Sequence, residues 1–137
     1  MASGMFDNGR NRFARGEIVW KASAGSTVKG NLIDTGVTAP NLATHTTMSD
    51  LRSAVVGSDT AISGMADPAA GVCNADDLVF SAVTGAHVEG VVLWQEQSAA
   101  DASRFLFLWV EFTAVTPNGG NITIQWDNTS TVYIFKL

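Results

Sequence analysis

The segment from Val88 to Phe112 limits what this chain can fold into more than any other part of it. It reads VEGVVLWQE, then QSAADAS, then RFLFLWVEF. Two apolar runs of strand length flank a small, polar spacer. Both runs are rich in β-branched, aromatic and leucine residues, which suit a pleated surface. Neither alternates cleanly: Val91 to Trp94 are four apolar residues in a row and Phe105 to Val110 are six. A strand with one face in water alternates, because successive side chains point to opposite faces. Both faces of this hairpin are therefore expected to be covered, by a second sheet, a helix or a neighbouring subunit. Strict alternation sets Phe105, Phe107 and Trp109 on one face and Leu106, Leu108 and Val110 on the other.

The flanking sequence supplies more strands. Residues 17–21 (EIVWK), 28–34 (VKGNLID), 78–83 (LVFSAV), 121–127 (NITIQWD) and 131–137 (TVYIFKL) all have strand character. In NITIQWD, Ile122, Ile124 and Trp126 share one face. In the last segment Val132, Ile134 and Leu137 are expected to face the sheet. Thr116-Pro117-Asn118-Gly119-Gly120 is a strong turn signal, since Asn and Gly tolerate positive φ. ASAGST (22–27) is a loop, and Pro40 bars a central strand in the 35–40 turn region. Residues 46–52 predict about one helical turn capped by Thr47 or Ser49. Residues 54–71 predict a long surface excursion with at most a short strand near Ala61–Ser63.

Residues 3–15 predict a short helix capped by Ser3, with Asp7 near its positive end. Phe6 and Phe13 share a face, and Gly16 stops it. Gly9 weakens it by about 1 kcal/mol relative to alanine. So short a helix must dock on something to persist. The pattern as a whole predicts a mainly β, single-domain β-sandwich, jelly-roll-like, spanning 1–137, with residues 1–16 as a short N-terminal helix or arm.

At 137 residues the chain can bury a real core without staples. Charged residues make up 15%, against about a quarter in an average chain, so the surface is Ser, Thr, Asn, Gly and Ala. The net charge of −5 gives no basic footprint for nucleic acid. The one basic cluster, Arg10, Arg12 and Arg15, reads as a solvated helix face. A single cysteine, Cys73, precludes an internal disulfide. The first 20 residues contain no apolar signal core, and no run approaches a membrane span.

Known site chemistry does not appear. Cys73, His45 and His87 lack zinc spacing. His45 and His87 sit in no triad pattern, and there is no GxSxG elbow. Asp67, Asp76 and Asp77 match no calcium loop and read as solvated carboxylates. GSTVKG (25–30) lacks the P-loop ending. Asn121 and Asn128 begin glycosylation sequons, which mean little without export. Trp20, Trp94, Trp109 and Trp126 could stack on a sugar, but each lies in a strand pattern that favours the core. The sequence thus assigns no catalytic, metal or cofactor-binding residue.

Several segments, in order, are similar to a family of small tailed-bacteriophage proteins. They are MFDNGRNRFARGEIVW near the start, NLIDTG, the NLATH at Asn41–His45, ADDLVFSAVTGAHVEGVVLW, and VTPNGGNITIQWDN with the final IFKL. Residues 46–75 carry little of the likeness. The resemblance implies a virion structural protein, assembled in the bacterial cytoplasm, that is no enzyme and uses no cofactor. Its implied role is a capsid decoration (cement) protein that contacts the major capsid protein and itself, as a homo-oligomer such as a trimer. A tail, connector or spike component is the alternative, and a carbohydrate-binding module lies further off. Neither nucleic acid nor membrane is an expected partner.

Overall fold

Residues 3–20, 28–65, 70–126 and 134–136 are described by the structure, a computed structural model. They form β1 (Gly4–Met5), α1 (Asp7–Ala14), β2 (Val28–Ile33), β3 (Val55–Ala61), β4 (Val72–Cys73), β5 (Leu78–Phe80), β6 (Val88–Glu96), β7 (Arg104–Val115), β8 (Ile122–Ile124) and β9 (Phe135–Lys136). Five strands make one antiparallel sheet in the order β1-β7-β6-β2-β3, while β4 pairs with β9 and β5 with β8. The chain is a small, mainly β domain with sandwich-like layering. Among the described residues no helix is long and apolar enough to cross a membrane.

The hairpin of β6 and β7 is the centre of the sheet, and both of its faces are covered. Val91, Val92, Leu93 and Trp94 are all fully buried. On one face Leu32, Val91, Leu93 and Leu108 pack with Leu78, Phe80, Cys73 and Val83, which the two small ladders and their loops bring over. On the other face Ile33, Val92, Trp94, Leu106 and Trp109 pack with Phe6, Met48, Leu51 and Ala54. The covering there is two short 3-10 turns, Met48–Asp50 and Arg52–Ala54. Each large side chain buried this way contributes about 1.5–3 kcal/mol.

A β-bulge corrects the expected facing of β7. Leu93 pairs with Leu108, but Trp94 pairs with Leu106, so Phe107 is an extra residue in β7. The alternation changes phase there. Leu106 and Trp109 lie together on the face of the 3-10 turns, while Phe105, Phe107, Leu108 and Val110 belong to the opposite cluster. Gly90 sits under the Trp109 ring, where an added Cβ would lie 2.2 Å from Trp109 Cη2. That close approach explains the glycine inside an otherwise apolar strand.

The N-terminal segment also differs from expectation. Ser3 does not cap the helix: its hydroxyl accepts a hydrogen bond from the Glu111 backbone N–H at 2.8 Å. Gly4 and Met5 instead pair with Trp109 and Leu108 at the edge of β7. Phe6 precedes α1 and enters one core, whereas Phe13 packs edge-on against Phe107 at 5.3 Å between ring centroids and serves the other. Gly16, at φ 75°, follows the helix as expected.

Residues 17–20 form no strand, although Ile18 and Trp20 are buried. A side-chain amide replaces the ladder. Gln95 Nε2 donates to the Val19 carbonyl at 2.6 Å, and Gln95 Oε1 accepts from the Val19 N–H at 3.0 Å. The expected surface excursion at 54–71 contains instead the seven-residue edge strand β3, paired with β2. Its signal is hidden by Gly57, at φ 83°, and by Asp59, whose partners Asn31 and Arg52 lie outside the strand. The expected helical turn is present: Thr47 and Asp50 form a capping box around Met48–Asp50. The 22–27 loop, Asp67, Asn128, Val132 and Leu137 lie outside the described residues. Ile134 is half-buried, and its N–H donates to the Cys73 carbonyl at 3.1 Å.

Candidate functional site: an apolar groove and a closed charge network

Charged side chains gather on the sheet face that carries Trp94. β2, the second 3-10 turn, β3, β6, the hairpin loop and β7 each contribute. Arg52 Nε donates to Asp101 Oδ2 at 2.9 Å and its Nη1 to Asp59 Oδ1 at 2.7 Å. Arg104 reaches Glu96 Oε1 and Asp101 Oδ1, both at 2.8 Å, and Lys29 reaches Glu96 Oε2 at 3.1 Å. Underneath, Trp94 Nε1 donates to Asn31 Oδ1 at 2.7 Å, and Asn31 Nδ2 donates to Asp59 Oδ1 at 2.8 Å. Three cations thus meet three carboxylates. Burial works against ionisation at Asp59, but the bonds from Arg52 and Asn31 outweigh it and hold its carboxyl below the usual range. Arg52 does the same for Asp101, and Arg104 with Lys29 for Glu96. Such groups are already ionised and satisfied at neutral pH. The network clamps the hairpin loop and β3 to the sheet and has no spare base or acid to offer.

The three arginines of the N-terminal basic cluster are paired with two carboxylates. Arg10 pairs with Asp7; Arg12 reaches Glu17 at 2.7 Å and Arg15 reaches Glu17 at 2.8 Å. The Arg12 guanidinium also lies 3.5 Å from the Phe105 ring centroid, a cation–π contact. Each of these arginines thus has an acidic partner within the N-terminal segment.

The other sequence candidates are dispersed. His45 Nδ1 accepts from the Asn41 N–H at 3.1 Å, within its own loop. His87 is exposed beside the start of β6. Cys73 is buried, and burial pushes its thiol up to about 11, so it is a protonated core residue at neutral pH. Asp77 Oδ1 accepts from the Trp126 N–H at 3.0 Å, and Asp76 lies against Gly64. Asn121 is exposed, and its Oδ1 accepts from the Ala82 N–H at 3.1 Å. Among the described residues no group of three or more His, Cys, Asp or Glu is placed to hold a metal ion. Trp20, Trp94 and Trp109 are at most 4% exposed, so the four tryptophans form no common stacking platform.

What the structure adds is a groove. β7 continues to Val115, past the two-residue ladder of β1, and the turn at 116–121 carries the chain to the other layer. That turn is pinned to Val83 by two backbone hydrogen bonds, Gly119 N to Val83 O at 2.8 Å and Val83 N to Gly120 O at 2.9 Å. β8 then pairs with β5 and not with β7. An open corner of about 300 Å³ remains, lined chiefly by Val110, Phe112, Val115, Ile122, Ile124 and Trp126. Thr123 and Gln125 also line it, so among the described residues that line it none is titratable. Such a surface can bind apolar side chains; it has nothing with which to move a proton. Half of it was legible in the sequence, because Ile122, Ile124 and Trp126 alternate. Its β7 half was not: Val110 and Phe112 alternate, but which layer their row faces follows from the change of phase at the bulge.

The segments that carry the resemblance have local structural work. In NLIDTG, Asp34 Oδ1 accepts from the Gly36 N–H at 2.8 Å. In NLATH, Asn41 Oδ1 accepts from Ala43 and Thr44 at 3.0 and 3.2 Å. In TPNGG, Asn118 Oδ1 accepts from Gly120 at 2.9 Å. All three are side-chain-closed turns. No family model matches the chain, and no curated protein matches it.

Proposed function

We propose that this protein is a structural component of a tailed-bacteriophage virion, a capsid decoration protein that binds the outside of the head and acts by contact, not catalysis. Its partners in this reading are the major capsid protein and further copies of itself. The observation that carries the reading is the groove between β7 and β8, which among the described residues is open and lined by apolar side chains with Thr123 and Gln125. The pairing of the arginines and Lys29 with carboxylates supports it, because among the described residues it leaves no cluster of unpaired cations for nucleic acid, and the chain's net charge is −5. The ordered likeness of NLIDTG, NLATH and VTPNGGNITIQWDN to small phage proteins supplies the virion context.

Cryo-electron microscopy of the particle tests this. Density for the chain on the outer surface of the head is expected. Density only at the tail would replace the decoration role with the tail, connector or spike role. A particle without the chain would overturn both.

A further inference from the structure

We draw no further inference here: the strongest candidate, the apolar groove between the far end of β7 and β8, belongs to the site already described, and nothing in the structure shows what covers it.

Discussion

Gly9 is where helix propensity and packing pull in opposite directions. Alanine stabilises a helix interior by about 1 kcal/mol over glycine. Yet a Cβ at Gly9 would lie 2.5 Å from Phe107 Cα and 2.7 Å from the Leu106 carbonyl oxygen, both backbone atoms that cannot rotate away. Packing wins, because overfilling a tight contact costs about 1–3 kcal/mol. Gly9→Ala is expected to lower stability in urea denaturation; a stabilised variant would show that the helix lifts off β7 without cost. Asn31 is the second decisive residue. It is fully buried and bridges Trp94 Nε1 to Asp59. Asn31→Leu leaves a buried indole N–H unsatisfied, at a cost of about 1–3 kcal/mol. The expected outcome is a matching loss of unfolding free energy with a changed Trp94 emission maximum. Unaltered stability would mean that the indole finds another acceptor.

At the scale of elements, the charge network explains how a short 3-10 turn, an edge strand and a hairpin loop stay on the sheet. Asp59, Asp101 and Glu96 all have folded-state pKa values below their unfolded ones. The stability they contribute is therefore complete above the ordinary carboxylate range, about pH 4, and is lost as pH falls through the depressed folded values. Melting temperature followed from pH 7 to pH 2 should drop in that window. Arg52→Gln, weaker than the parent at pH 7, should drop less, because the arginine that binds both Asp59 and Asp101 is gone. An equal drop in both proteins would place the acid-sensitive groups outside the network. The bulge in β7 belongs to this scale too: one extra residue, Phe107, re-aims everything from Leu108 onward.

For the whole molecule, the layering leaves an open corner among the described residues. The 3-10 turns and Phe6 seal one face of the large sheet, and the two small ladders seal most of the other. Val115, 38% exposed at the rim of the groove, is the residue best placed to test its use without disturbing the core. Val115→Glu is expected to leave the melting temperature unchanged and to reduce binding to particles lacking the protein at least tenfold in a sedimentation assay. Undiminished binding would count against the groove as the contact surface of the proposed decoration role.

Read from the residues alone, the β6–β7 hairpin, its covered faces, the turn at 116–120 and the mainly β class were all determined, because unbroken apolar runs and Asn-Gly turns depend only on neighbours along the chain. The strand β3 was illegible, because Gly57 breaks its pattern and Asp59 owes its place to Arg52 and to Asn31 on the neighbouring strand. The segment at 17–20 looked like a strand, and only the fold could show that the Gln95 side chain takes the place of a ladder partner. The facing of Phe107, Leu108 and Trp109 was likewise decided by tertiary structure. The bulge falls where Gly9 of α1 packs against Leu106 and Phe107, a contact between segments that no local pattern records.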